Sequence, residues 1–515
     1  MAQDSRGIIK EEALQNKLDA DVGKEKTEVI IDGDNFVVKF IDTNRYYEVD
    51  NIGNVEIFDM IIDSHPGDIT VGVNGDKLLG TETSPFEIWC IEDLIEWSQN
   101  YSKYLNSYIR LCKTLDFKSK LSYTDSERKD YGDINQDGNV QTIIEEMQTG
   151  IGFSPIQYFH GTFEIEEGKN FEIRNIYINR NGRAGFIING QNTIIKNLKI
   201  SGEIIGTDVS AGIISGDNTT YGITIINCKN YANVKGNTMV AGMCAWGREV
   251  TIQNCENYGK ICIESINITY GGASGILAYG YGTNGLIEDC YNAGEIYGNY
   301  ISGGIVGTGE DLEISNCSNN GVIHSIGNYA NGGIIGKHRG GTVSIINCVN
   351  KATIGENSEG YAGGIVGEYI GVNYNTDRIL NIYNCYNLGN ILSKNYCGGI
   401  LGVQGLVSLT IKLDIQNSYS IGMINGKYSA GIVGMLTNSS DRTTVTSSIK
   451  NTYWLNSSAN KAIYTGNCTE IEEIESFDKT YIQSQSFCDL LNKNREENTN
   501  WKTWKLGNDG YPIFV

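Results

Sequence analysis

The feature that most limits what this chain can fold into is a glycine that returns about every thirty residues. It sits in a small-Gly-apolar-apolar box, seen as Ala211-Gly212-Ile213-Ile214, Gly303-Gly304-Ile305-Val306, Gly332-Gly333-Ile334-Ile335, Gly363-Gly364-Ile365-Val366, Gly398-Gly399-Ile400-Leu401 and Ala430-Gly431-Ile432-Val433. Looser copies stand at Ala184-Gly185-Phe186, Ala241-Gly242-Met243 and Ser274-Gly275-Ile276. From Gly212 onward the spacings are 30, 33, 29, 29, 31, 35 and 32 residues. A period of this size marks a solenoid, in which each repeat buries its apolar face only against its neighbours.

Each period holds two further strand signals. One ends in Asn-Cys-x-Asn, as in Ile314-Ser315-Asn316-Cys317-Ser318-Asn319, and the next is a short Gly-x-Ile strand, as in Gly321-Val322-Ile323. That gives three short strands per period, bounded by Gly, Asn or Ser, with no apolar pattern long enough for a crossover helix. Parallel strands without helices must coil, so the expected fold is mostly β: a right-handed parallel β-helix of about nine rungs, one per box. Stacking then places each repeat position above itself. Cys228, Cys255, Cys290, Cys317, Cys348 and Cys385 become a column of small buried side chains before they are redox or metal groups. Asn230, Asn257, Asn292, Asn319, Asn350 and Asn387 become an inward column that hydrogen-bonds the rungs above and below, at bends where Asn tolerates the left-handed conformation.

Composition agrees with a folded, elongated chain. Its 515 residues exceed one ordinary core, and 63 Gly with only 4 Pro and 20% charged residues do not describe a disordered polymer. A net charge of −21, dispersed along the chain, argues against nucleic-acid or anionic-membrane binding. No apolar stretch approaches the ~18 residues of a membrane span, and the start Met1-Ala2-Gln3-Asp4-Ser5-Arg6 has no signal-peptide core. Taken literally this reads as cytoplasmic. An initiator Met fused to a mature or truncated chain looks the same.

The Gly-Gly-Ile-Val-Gly boxes, the Asn-Cys-x-Asn strands and the entry segments Phe159-His160-Gly161-Thr162-Phe163 and Asn175-Ile176-Tyr177-Ile178-Asn179 resemble the GLUG-repeat proteins of bacterial cell surfaces. The resemblance covers about residues 150–455. It implies a β-helix and an extracellular or cell-surface location. It is unspecific for function, because such repeats occur in adhesins, in surface proteins of unknown role, and beside immunoglobulin-cleaving metallopeptidases. That enzyme needs a His-Glu-x-x-His helix, and none of the 4 His residues lies in one.

The ends read differently. Residues 1–58 are expected as a small α+β unit, with a helix from Ile8 to Leu18 and strands Glu28-Val29-Ile30-Ile31, Phe36-Val37-Val38-Lys39-Phe40 and Tyr46-Tyr47-Glu48-Val49. The run Thr43-Asn44-Arg45-Tyr46-Tyr47-Glu48-Val49-Asp50-Asn51-Ile52-Gly53-Asn54-Val55 resembles clostridial pilin-like surface proteins, whose N-terminal hydrophobic helix is absent here. Residues 59–150 are expected as linker and N-terminal cap, 151–455 as the repeats and 456–515 as a C-terminal cap.

Three features carry candidate chemistry. Asp133, Asn135, Asp137 and Asn139 alternate as in the first half of an EF-hand-type calcium loop, and the segment resembles dockerin loops. Position 12 is Ile144, so Glu145 or Glu146 would have to complete the site; the alternative is a plain Asx-rich turn. Among 31 Tyr, Tyr279, Tyr281, Tyr297, Tyr300, Tyr329 and Tyr361 fall at loop positions, where aromatic faces on a rigid ladder suit sugar rings or a protein partner. Glu310, Asp311, Lys337, His338 and Arg339 could neighbour one another on adjacent rungs, as charged groups do in pectin-degrading enzymes; solvated loop charges are the plainer reading. The expected function is adhesion or display of a glycan- or host-protein-binding face without catalysis. The rivals are a polysaccharide lyase or hydrolase and a passive stalk.

Overall fold

The computed structural model describes residues 80–118, 150–264 and 272–515, apart from breaks at 326, 328, 357, 371–377, 406–409, 440–443 and 497, together with the backbone of four strands between 27 and 58. Among the described residues the chain is mostly β, with parallel strands stacked as a solenoid of about nine turns. One turn runs through Cys244–Arg248, Thr251–Gln253, Glu256–Asn257, Ile261–Ile263 and Gly272–Ser274. Each strand pairs in parallel with its counterpart one repeat later: Cys244 with Leu277, Ile252 with Ile287, Asn257 with Asn292, Ile261 with Ile296 and Ala273 with Ser302.

The three strand signals of a repeat therefore become four or five strands. The glycine box divides between the end of one turn and the start of the next, as Ala330–Gly332 and Ile335–Ile346. The Asn-Cys-x-Asn segment breaks where the Asn before Cys turns left-handed, with φ of 56° at Asn227, 51° at Asn254, 56° at Asn316, 55° at Asn347 and 52° at Asn384. This differs from the expectation, which gave that bend to the Asn after Cys. The later Asn lies in a two-residue extended strand, such as Ser318–Asn319, from which its amide reaches inward.

That inward amide column does what its spacing predicted. Nδ2 of each residue donates to the next turn: Asn230 to Asn257 at 2.8 Å, Asn257 to Asn292 at 2.8 Å, Asn292 to Asn319 at 2.8 Å, Asn319 to Asn350 at 2.9 Å and Asn350 to Asn387 at 2.7 Å. Asn387 hands the column to Ser420 Oγ at 3.2 Å. The second amide hydrogen goes to the chain two residues on, as from Asn319 to the Gly321 carbonyl at 3.2 Å. The repeat glycine exists because of this amide. A Cβ on Gly304 would lie 2.1 Å from the Gly333 carbonyl oxygen and 2.3 Å from Asn319 Cγ, closer than any side chain can come.

The core is a set of such columns. Ile225, Ile252, Ile287, Ile314, Ile345, Ile382, Ile415 and Ile449 stack in register and are inaccessible. The six column cysteines are buried free thiols. The backbone N–H of Cys317 donates to Cys348 Sγ, and that of Cys348 to Cys385 Sγ, both at 3.4 Å. Ser418 takes the next place, accepting from the Cys385 N–H at 3.1 Å.

Parallel stacking begins well before residue 151. Phe86–Ile88 pairs with Tyr108–Leu111, which pairs with Thr162–Ile165. Over these turns lies the helix Ile91–Gln99, whose Trp97 packs 5.0 Å from Phe159, 5.5 Å from Phe163 and 5.8 Å from Phe186. The C-terminal segment takes a different place from the expected end cap. Its helix Gln485–Asn494 and hairpin Trp504–Leu506 with Pro512–Phe514 bury Phe487, Leu491 and Trp504 against Val349, Tyr386, Tyr419 and Tyr453, which occupy one column on four successive turns. Asn347, Asn384 and Asn417 fasten it by donating to the carbonyls of Asn500, Lys502 and Leu491 at 3.0, 3.1 and 3.1 Å. The segment is a brace along the flank. The last stacked strand, Glu470–Phe477, leaves Glu470, Glu472, Glu473 and Glu475 on its surface, charges that oppose edge-to-edge pairing.

Near the N-terminus two antiparallel hairpins form, Thr27–Asp32 with Asn35–Phe40 and Tyr46–Val49 with Val55–Phe58. The helix expected from Ile8 to Leu18 lies outside the described residues. Among the described residues no helix is long and apolar enough to cross a membrane.

Truncating Asn319 to Ala removes the acceptor of one Asn292 Nδ2 hydrogen and of the Gly321 N–H, both in the interior. At about 1–3 kcal/mol per unsatisfied buried group, Asn319→Ala should lower stability by roughly 2–6 kcal/mol, read as a shift in the urea midpoint.

Candidate functional site

The six tyrosines singled out from the sequence divide among three places. Tyr300, Tyr329 and Tyr361 form one column, with ring centroids 4.3 and 6.4 Å apart. The column continues through residues the sequence reading missed: Tyr361 to Tyr396 at 6.3 Å, Tyr396 to Tyr428 at 4.6 Å and Tyr428 to Tyr464 at 5.2 Å. All six of these rings are half-buried, each with part of its surface open to solvent. A positional signal existed. Tyr300 and Tyr329 stand four residues before the box glycine, and Tyr361, Tyr396 and Tyr428 stand three before it.

Tyr279 and Tyr281 lie elsewhere, stacked at 5.4 Å beside Trp246. Tyr297 stacks at 4.4 Å on His324, with Lys260 Nζ 3.8 Å from its ring centre. Another missed pair, Tyr231 and Tyr258, stacks at 4.9 Å with planes 5° apart and is the more exposed, at 43% and 41%.

The charged residues expected as solvated loop groups are largely drawn in. Lys337 pairs across the strands with Glu368, and both are buried. Lys337 Nζ donates to Tyr329 Oη at 2.6 Å and lies 3.2 Å from Glu368 Oε2, close enough for an ion pair yet misaligned as a hydrogen bond. Burial pushes the Lys337 ammonium below its ordinary range and the Glu368 carboxyl above its own. Nearby, Tyr279 Oη donates to Glu310 Oε1 at 2.8 Å and accepts from Arg339 Nη1 at 2.8 Å, while Arg339 Nε lies 3.4 Å from the same carboxylate. Asp311 accepts from the Thr342 N–H at 2.9 Å. His338 is inaccessible, its Nε2–H donating to the Gly340 carbonyl at 2.9 Å, and burial pushes its imidazole down to about 3.

Asp133, Asn135, Asp137, Asn139 and Glu145 lie outside the described residues. Among the described residues no cluster of three or more His, Cys, Asp or Glu side chains could hold a metal. Chemically, the described surface offers aromatic faces at one-turn spacing, with cations placed over several of them.

No protein-family profile and no curated protein matches the chain. A solved structure from Bacteroides ovatus, named a "putative immunoglobulin A1 protease", aligns over 84% of this chain and 93% of its own length, at 16% identity and a TM-score of 0.32.

Two measurements check the buried charges. Lys337→Met leaves the Glu368 carboxylate unpaired and should cost about 3–5 kcal/mol at neutral pH; the double variant Lys337→Met/Glu368→Gln should recover most of it. Because the Glu368 carboxyl is already raised, protonation relieves the single variant, so its deficit should shrink as pH is lowered. His338 acts in the opposite sense. The unfolded imidazole protonates near its ordinary 6.5 and the native one only near 3, so it removes stability as pH falls through that window, by about 1.4 kcal/mol per pH unit. His338→Gln should flatten the acid limb of the unfolding midpoint by that slope.

Proposed function

We propose that this chain is an exported, cell-surface β-helix that binds through the aromatic column on its flank, with a glycan or a host-matrix protein as partner. The observation that carries the reading is the continuous column of Tyr300, Tyr329, Tyr361, Tyr396, Tyr428 and Tyr464. Parallel stacking holds these rings in place with little freedom left to lose on binding, and each offers an apolar face and a polar tip. The likeness of the repeat boxes to GLUG-repeat surface proteins supports the surface location. Calcium at the Asp133 loop belongs to the same proposal, as the structural ion of an exported module.

A second reading rests on a separate observation. Glu310, Arg339 and Tyr279 share one hydrogen-bonded cluster, and a carboxylate, a cation and a phenol are groups that polysaccharide cleavage employs. One screen separates the readings: the purified chain on glycan and matrix arrays, with calcium and with chelator, followed by reducing-end assay of any polysaccharide bound. Saturable binding without new ends is expected, weakened roughly tenfold by Tyr361→Leu/Tyr396→Leu. Release of sugar ends that stops in Glu310→Gln would replace binding with catalysis, and silence throughout would leave a passive stalk.

A further inference from the structure

The tyrosine column does not keep one electrostatic character along its length. Over its first half the neighbouring cation is already committed: Lys337 sits 4.4 Å over the Tyr329 ring but is buried against Glu368, and Tyr361 follows Glu359 in the chain. Over the second half the surroundings change. Each of the last three tyrosines is preceded closely by a lysine, as Lys394 before Tyr396, Lys427 before Tyr428 and Lys461 before Tyr464. The segments holding them, residues 386–404, 417–439 and 451–469, contain no Asp or Glu, although the whole chain has 61 acidic residues against 40 basic ones.

The geometry makes one patch of these residues. The rings of Tyr396, Tyr428 and Tyr464 lie 4.6, 5.2 and 6.4 Å from one another. Lys427 Nζ is 4.8 Å from the Tyr428 ring centre and Lys461 Nζ is 5.3 Å from that of Tyr464. Lys394 is engaged by Glu359, whereas Lys427 and Lys461 are exposed and, among the described residues, no carboxylate pairs with either. A positive patch on a chain of net charge −21 is local by necessity, since screening confines its field to about 8 Å at physiological salt.

We propose that Tyr396, Tyr428, Tyr464, Lys427 and Lys461 form a subsite for an anionic polysaccharide, whose sugar rings lie on the tyrosines and whose carboxylates or sulfates meet the two lysines. The proposal rests on the binding function given above and narrows it to a charge class and a place. Two cations beside three rings fit a sparsely charged chain of flat rings. They do not fit the dense phosphates of a nucleic acid, which the chain's net charge of −21 would repel.

The test titrates the full chain with four probes: an oligogalacturonate, a sulfated oligosaccharide, a neutral oligosaccharide of equal length, and a single-stranded oligonucleotide. Each is repeated with Lys427→Glu/Lys461→Glu and with Tyr428→Leu, after unfolding midpoints show both variants folded. One or both anionic sugars should bind, weaken as salt rises, and lose roughly tenfold or more in each variant; which sugar binds decides between carboxylate and sulfate. Equal binding of the neutral sugar with no effect of the lysine changes would overturn the anionic subsite and leave the aromatic binding face standing. Preference for the oligonucleotide would overturn the ligand class. Failure of all four probes, with a different ligand bound on arrays and unaffected by these variants, would overturn the place.

Discussion

Everything in this solenoid depends on a side-chain amide packed against a glycine. The inward Asn column satisfies both of its amide hydrogens, one within its own turn and one on the next, so the interior can hold a polar line without an unpaired group. The amide occupies the space where the repeat glycine would otherwise carry a Cβ, and that glycine lies against the carbonyl of the next glycine in turn. A side chain on the glycine would collide with the amide, so the glycine cannot change while the amide stays. Where the column ends at Ser420, the smaller hydroxyl still accepts the last amide and Gly399 remains beside it. The left-handed residue before each column Cys, an Asn or, before Cys290, Asp289, supplies the corner that brings this pair together.

This coupling explains why the fold was legible from the sequence and where legibility stopped. A residue stacked on its own copies must recur at the repeat period, so the Gly, Cys and Asn columns were visible as spacing alone. Which of the two asparagines takes the bend was not visible, because both recur with the same period and only the hydrogen-bond direction distinguishes them. The tyrosine column was half found. Tyr300, Tyr329 and Tyr361 stand out beside glycine-rich boxes, whereas Tyr464 belongs to a turn without a glycine box and gives no periodic cue. Tyr279, Tyr281 and Tyr297 look the same in sequence and lie on other ladders, since loop length rather than composition decides which column a turn residue joins. The burial of Lys337 and His338 was hidden for a related reason: a charge in a turn reads as solvated until the neighbouring strand that covers it is known.

A stacked fold also sorts chemistry by column. Charged residues that are near neighbours between turns, such as Lys337 and Glu368 or Glu310 and Arg339, meet through cross-strand register rather than sequence proximity. The chain is acidic as a whole, yet a few adjacent turns can carry the opposite sign because each turn contributes its own short segment to the flank. A surface assembled in this way can change ligand preference along its length by altering one turn at a time, without disturbing the column beneath.

The flank-lying C-terminal segment has a mechanical meaning. A solenoid held only by nearest-neighbour contacts frays from its ends, one turn at a time. Here a single helix and hairpin grip four successive turns through Val349, Tyr386, Tyr419 and Tyr453, so the last of them cannot peel away without tearing that grip from the other three. The brace turns a zipper into a block, and a pull on the C-terminus meets four turns in shear instead of one in peeling.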